Sequence, residues 1–351
     1  MLPEAPPVRA AAPGGPAHGA EPSYLALSRS GELARRALLL EEMLSPCCLC
    51  PNMCGTDRRR NPGACCGAGL RPIVSAATPH MGEEPPLSGT RGVGNIFFGR
   101  CNLRCVYCQN HLISQGAEGE GDREVSSARL AELMLSLQER GCHLIGFVSP
   151  THFVPQVVAA LDLAAAGGLR LPLVYNTNAY DSLEVLRLLD GIVDVYLPDL
   201  KYMDADAGFA YSGVRDYPRH SRTAIREMHR QVGGRLIPGP DGTIRRGLII
   251  RHLVLPNDLG GSREALRWIR KELGAEVPLS IMSQYYPAHR AAEFPLLARV
   301  LRESEYERVV AVLDELAFAE GWIQEYGADR IYRPDFTDRD RPFHDEPGIT
   351  P

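Results

Sequence analysis

The chain has 351 residues, 44% hydrophobic and 23% charged, with a formal net charge of −5. That is long enough for one large α/β domain with appendages, and ordinary for a globular protein. The mildly acidic balance excludes a general attraction to nucleic acid or to an anionic membrane. No apolar run is long enough to cross a bilayer and no signal-peptide core follows Met1, so a cytoplasmic protein without membrane contact is expected.

In chain order, residues 1–22 are rich in Pro, Ala and Gly and poor in large apolar residues, a composition that predicts disorder. Residues 23–88 read as an N-terminal helix followed by a cysteine-rich module. From 89 to 326, short β-like runs alternate with helical periods. A strand is predicted over 94–98 and a loop over 99–110. Leu130, Leu133, Met134 and Leu137 recur at i, i+3, i+4 and i+7 and predict a helix over 127–140. Strand 144–148 follows, then a helix from 154 that tolerates Pro155 in its first turn. Further strands are predicted at 173–175, 193–197, 248–255 and 279–283, and further helices at 183–189, 224–232, 262–273 and 304–319. Such alternation predicts a parallel sheet covered by helices. Six units make a partial (β/α)6 barrel of the TIM type, with its chemistry at the C-terminal ends of the strands. Residues 327–351 form a charged, Pro-containing tail expected to strap across the domain or fray.

Nine of the ten cysteines fall between residues 47 and 108, a crowding that points to metal or cluster ligands in a reducing compartment. Cys142 opens an apolar run and reads as a buried structural thiol. Cys101, Cys105 and Cys108 stand at C-x3-C-x2-C spacing, with Tyr107 before the last of them. Three thiolates hold three irons of a [4Fe–4S] cube and leave the fourth iron open to a ligand. Upstream, Cys47, Cys50, Cys54 and Cys65 make C-x2-C-x3-C-x10-C, a set suited to tetrahedral zinc or to a closed iron–sulfur cluster. Sequence does not choose between the metals, and Cys48 and Cys66 are rival ligands. The run 58–60 of three arginines reads as a solvated loop.

The C-x3-C-x2-C spacing with Tyr107 resembles the radical S-adenosylmethionine (radical SAM) superfamily. That resemblance implies an open iron chelating the methionine amino and carboxylate groups of S-adenosylmethionine. It also implies reductive cleavage to a 5′-deoxyadenosyl radical that takes hydrogen from a substrate. The module Cys47–Cys65, together with Pro150-Thr-His152, Tyr196-Leu-Pro-Asp-Leu-Lys-Tyr202, Ile250-Arg-His-Leu-Val-Leu-Pro256 and Met282-Ser-Gln-Tyr285, looks like a branch related to the pyruvate formate-lyase activating enzyme. The likeness runs from about residue 47 to 326. The superfamily's Gly-Gly-Glu after the second strand is replaced here by a stretch containing Ser149, Thr151 and His152.

By this resemblance Cys101, Cys105 and Cys108 ligate the catalytic cluster and Tyr107 packs beside the adenine. Thr151 stands in for the lost amino-group contact with His152 in support, although Ser and Thr also favour helix caps. Asn176 and Asn178 bond ribose or carboxylate, His252 contacts the cofactor, and Asp199 and Lys201 line the cofactor and substrate cavity as catalytic residues. Gln284, Tyr285 and Tyr286 belong to the substrate pocket. Implied partners are an electron donor such as flavodoxin or ferredoxin and a protein or peptide substrate. The competing reading is a non-catalytic iron–sulfur or zinc protein serving electron transfer or regulation.

Overall fold

The computed structural model describes residues 21–60, 65–116, 123–331, 333–338 and 342–343. The expectations of disorder for residues 1–20 and of a frayed end beyond 343 lie outside the described residues. Helices α1 (Tyr24–Arg29) and α2 (Glu32–Glu42) come first among the described residues. Leu33, Ala37 and Leu40 of α2 recur at i, i+4 and i+7 and are all buried. They face α6 (Val154–Ala166), and the segment shares one apolar core with the rest of the chain. Tyr24 OH donates to the Leu171 carbonyl (3.1 Å) and the Ser23 N–H to Asp194 Oδ1 (3.0 Å), which ties the chain's start to the loops below the sheet.

Strand β1 (Val74–His80) runs antiparallel to β2 (Val93–Phe98), and the short helix α3 (Pro85–Ser88) sits between them. After the cysteine loop come α4 (His111–Ser114), α5 (Ser127–Glu139), β3 (Leu144–Val148), α6, β4 (Leu173–Thr177), α7 (Leu183–Leu188) and β5 (Val195–Pro198). The chain continues through α8 (Ala205–Ser212), α9 (Tyr217–Val232), β6 (Ile237–Pro238), β7 (Ile244–Leu248) and β8 (Ile250–Leu253). It closes with α10 (Ser262–Glu272), β9 (Leu279–Met282), α11 (Glu303–Glu315) and β10 (Gly321–Ile323). Pro155 lies in the first turn of α6 as expected, and the Ser126 hydroxyl caps α5 by accepting the Arg129 N–H.

Strands β2, β3, β4, β5 and β7 pair in parallel in that order, and β8, β9 and β10 pair in parallel likewise. The predicted strand 248–255 is two strands broken at Ile249, and a parallel bridge between Asp199 and Arg251 carries β8 along beside the end of β5. With β7 and β8 counted as one position, the described residues give seven parallel positions, the expected partial barrel extended by the short β10 at one edge, with β1 antiparallel at the other. β5 starts two residues later than predicted because Asp194 serves the neighbouring loops instead, its second oxygen accepting the Leu173 N–H at 2.9 Å.

Alternation along each strand sorts the side chains into two faces. Ile96, Phe98, Ile145, Phe147, Tyr175, Tyr196, Ile250 and Ile281 pack under the helices. Val93, Leu144, Val174, Val195, Leu197 and Ile249 fill the lumen, which Leu87 of α3 closes from below. The same alternation places Asn95, Asn176, Asp199, Arg251 and Ser280 on the lumen side. No helix among the described residues is long and apolar enough to cross a membrane.

Candidate active site

The three-cysteine loop leaves the C-terminal end of β2 and is held at several points. The Gly99 N–H donates to the Ile73 carbonyl (2.9 Å), Arg104 N–H to Ser212 (3.2 Å) and Val106 N–H to Tyr211 (2.9 Å). A Cβ at Gly99 would run into the Ile73 side chain, so glycine lets the loop pass close to the strand's neighbour. All three thiols sit among polar hydrogens. The Leu103 N–H and the Asn178 amide each lie 3.4 Å from Cys101 Sγ as donors. The Ser212 hydroxyl donates to Cys105 Sγ at 2.9 Å, and the Ser114 hydroxyl is 3.2 Å from Cys108 Sγ. Burial pushes the Cys101 thiol up to about 12 and the Cys108 thiol up to about 11, and it raises Cys105 as well. Metal or cluster binding therefore has to displace three protons, and the donors around each sulfur favour the thiolate that results. The donor set fits the cluster that the family resemblance implies. Among the described residues no three His, Cys, Asp or Glu side chains already converge on one ion; ligands of a cube hold separate irons and have no need to.

Lys201 and Asp199 lie on the rim beside this loop. Lys201 Nζ is 2.7 Å from Asp199 Oδ2, and both side chains are partly accessible. Burial works against the ammonium, but Asp199 and the nearby Cys105 outweigh it and hold Lys201 firmly charged. The Tyr217 hydroxyl bonds the Asp199 carbonyl (2.7 Å) and the Lys201 N–H (3.0 Å), which fixes the backbone that carries the pair. Asn176 is half-buried in the lumen wall, in register with Val148. Asn178 turns to the loop, where its amide reaches Asn102 Oδ1 (2.8 Å) as well as Cys101 Sγ. Tyr107 is buried edge-on to Tyr202 (6.4 Å) and Tyr285 (5.8 Å), in a cluster that also includes Tyr180 and Tyr217.

Three predicted cofactor residues have other work in this structure. Thr151 is 2% exposed and donates to Asp181 Oδ1 at 2.8 Å. Thr177 (2.6 Å) and the Tyr175 hydroxyl (3.0 Å) donate to the same carboxylate, whose pKa burial raises despite them. The Thr151 hydroxyl is thus engaged with Asp181 beneath the rim. His152 bonds the Gly99 carbonyl through Nε2 at 2.8 Å, and burial lowers its pKa to about 3, so it is a neutral prop for the cysteine loop. His252 faces the helices with both nitrogens engaged, Nδ1 with the Leu200 carbonyl (2.7 Å) and Nε2 with Ser262 Oγ (2.8 Å).

The residue next to His252 was missed by sequence reasoning. Arg251 points into the lumen and pairs with Glu83 and with Glu84 (2.6 Å), both from the loop beneath the barrel. Burial opposes the charged carboxyl, yet Arg251, His80 and Asn95 hold Glu83 below the usual carboxylate range. Ser212, Ser114, Asn102 and Asp181 were missed as well. Strand alternation would have found Arg251; no local signal marks the others. Gln284 joins Gln109 and Gln324 in an amide network at the lumen's upper edge, Tyr285 OH bonds the Leu297 carbonyl, and Tyr286 stacks under Arg333.

The upstream cysteines differ in burial. Cys47, Cys50 and Cys66 are buried, whereas Cys65 is exposed. Burial pushes the Cys50 thiol up to about 12, and Cys66, Cys47 and Cys54 reinforce that push. Cys66 lies near Cys50, while the Cys65 backbone N–H faces the Cys54 thiol and its carbonyl accepts from Arg104 (2.7 Å). Cys48 turns away to the Met43 carbonyl. Arg58, expected in a solvated loop, is 2% exposed.

The sequence profile of the radical SAM superfamily matches residues 95–239. Uncharacterized protein MJ0674 of Methanocaldococcus jannaschii is 28% identical over 300 residues, covering 84% of this chain and 79% of that one. Among solved structures, Streptococcus suis SuiB bound to S-adenosylmethionine is similar at a TM-score of 0.44 and 12% identity, over 66% of this chain. The match spans 50% of SuiB's own length. A radical SAM methyltransferase from Sphaerobacter thermophilus is similar at a TM-score of 0.43 and 12% identity, over 68% of this chain and 69% of that one.

Proposed function

We propose that this chain, which carries a radical SAM domain over residues 95–239, is an enzyme that abstracts hydrogen from a polypeptide substrate. The observation that carries the reading is the buried three-thiol loop, with a hydrogen-bond donor beside every sulfur, set over a lumen rimmed by Asp199 and Lys201. When bound, the cluster and S-adenosylmethionine supply reductive cleavage of a sulfonium and hydrogen abstraction from an unactivated C–H bond.

The chain's own residues bind, orient and exclude water. Cys101, Cys105 and Cys108 ligate. Asn178, Ser212 and Ser114 stabilise negative charge on their sulfurs. Lys201 offers a cation for a carboxylate, and Asp199 an anion for an ammonium. The tyrosine cluster shields the loop from solvent. Support for a polypeptide substrate comes from the chain itself. Phe336, in a turn after β10, is 3% exposed and packs on Phe97, Ile113 and Val148 beside the lumen's upper end, so that end already receives an aromatic side chain of a polypeptide segment. The Asp199-Leu-Lys201 likeness to the activating enzymes points the same way, and an activase acting on a glycine of a partner protein is the specific form proposed. Flavodoxin or ferredoxin is the proposed electron donor.

The test is anaerobic reconstitution with iron and sulfide, reduction by dithionite, and chromatography for 5′-deoxyadenosine after adding S-adenosylmethionine. Product that vanishes in Cys105→Ala is expected. A reduced, intact cluster whose spin-resonance spectrum ignores S-adenosylmethionine would overturn the reading and favour the electron-transfer alternative.

A further inference from the structure

The N-terminal cysteines lie against the catalytic loop. The Asn52 amide donates to the Asn102 carbonyl (2.8 Å), and Arg104 reaches back to the Cys65 carbonyl. Within the module, Cys47 exchanges backbone hydrogen bonds with Thr56 (2.9 Å) and Gly55 (3.0 Å), which folds 47–56 back on itself. Gly55 takes φ +66 there, as a tight turn requires. This fold-back brings Cys54 to Cys47, and Cys50 is buried near both, with Cys66, itself buried, beside it on the neighbouring loop.

Arg58 supplies the second, independent observation. Its guanidinium is buried with one nitrogen on the His152 carbonyl (2.6 Å) and another on the Gly69 carbonyl (2.7 Å). Its guanidinium carbon lies over Phe153, 5.6 Å from the ring centroid. Among the described residues Nε has no hydrogen-bond partner and no carboxylate pairs with the guanidinium, and the side chain lies beside the Cys47 thiol. Arginine does not lose its proton in proteins. A cation withdrawn from water costs several kcal/mol unless an anion faces it. Neutral thiols provide no such anion; metal-bound thiolates do.

We propose that Cys47, Cys50, Cys54 and Cys66 hold an anionic metal–thiolate centre, with Arg58 as its buried counter-cation. Four S–H bonds exchange for metal–sulfur bonds, and four protons leave to solvent. One zinc with four thiolates, or a [4Fe–4S]²⁺ cluster with four, carries a net charge of about −2, which Arg58 partly balances. The other nitrogen contact of Arg58 is to His152, which props Gly99 two residues before Cys101. One guanidinium thereby fastens the new centre to the catalytic loop.

The test uses the full chain with Cys101, Cys105 and Cys108 all changed to Ala, so that only the N-terminal site is counted. Iron, sulfide and zinc are measured anaerobically after reconstitution. About one zinc or about four irons per chain is expected, and either supports the site while identifying its metal. Cys66→Ser should lower the count at least tenfold, whereas Cys65→Ser and Cys48→Ser should leave it unchanged. Arg58→Leu should speed metal loss to a chelator about tenfold, with Arg58→Lys close to wild type. Circular dichroism checks each fold, and Cys66→His, which keeps a ligand, should restore zinc if Cys66→Ser unfolds the turn. No metal in the full chain, or loss with Cys65→Ser and retention with Cys66→Ser, overturns the proposal. No S-adenosylmethionine enters the count, so its failure is separate from failure of the radical reading.

Discussion

Ser212 offers the sharpest test of how the loop is built. It ends α8, is fully buried, and donates to Cys105 Sγ at 2.9 Å while lying 2.8 Å from the Tyr202 hydroxyl. With the serine proton on the sulfur, Tyr202 donates to the serine. Ser212→Ala removes a hydrogen bond to a charged acceptor, worth about 1.5–3 kcal/mol. It also strands a buried phenol, costing about 1–3 kcal/mol in stability. A cluster sulfur carries more negative charge when reduced, so part of the bond is felt only in that state. If that part is roughly 1 kcal/mol, and about 1.4 kcal/mol corresponds to ~59 mV for one electron, the potential falls by about 40 mV. Potentiometric titration followed by spin resonance, on reconstituted wild type and variant, measures the shift. A potential within about 10 mV of wild type at full iron content would refute the argument that this hydroxyl bonds the ligating sulfur.

Further outcomes follow from the surrounding geometry. The unfolded chain protonates His152 near 6.5, whereas the folded chain holds it neutral down to about 3. Its contribution is therefore intact above pH 6.5 and declines as pH falls from 6.5 toward 3. At pH 5 the loss is about 2 kcal/mol, so the drop in urea midpoint between pH 7 and pH 5 should be smaller in His152→Gln. Equal drops would count against it. Arg251→Met leaves Glu83 and Glu84 buried without their cation and should cost about 3–5 kcal/mol, with Glu83→Gln in the same chain recovering part; a cost under about 1 kcal/mol in denaturant titration would be inconsistent with the buried pairing. A Cβ at Gly146 would meet Asn95 Oδ1, whose amide holds Glu83 at 2.6 Å, so Gly146→Ala should lose about 1–3 kcal/mol in the same assay. An unchanged midpoint would show that the lumen has room there.

The helix over 127–140 and the strand over 144–148 were legible because each is written in local periodicity, and both formed within a residue of expectation. The antiparallel strand β1 was not read, since its pairing with β2 depends on a partner some twenty residues on. Tyr107, Asn178, Asp199 and Lys201 do gather at the loop end of the lumen. Thr151, the Nε2 of His152 and both nitrogens of His252 bond the scaffold.

Spacing along the chain determined the three-thiol loop, because C-x3-C-x2-C ligands are neighbours in sequence and need only a short loop to meet. Composition and periodicity likewise determined the alternating strands and helices. Tertiary structure decided that Arg251 meets Glu83 and Glu84 while His252 meets Leu200 and Ser262, and that Cys66 is buried while Cys65 is exposed. Adjacent side chains on a strand point to opposite faces, and a one-residue choice of register settles which of them reaches the site. The burial of Arg58 was decided the same way. A run of three arginines reads as solvent-exposed until packing against His152, Gly69 and Phe153 takes one of them out of water.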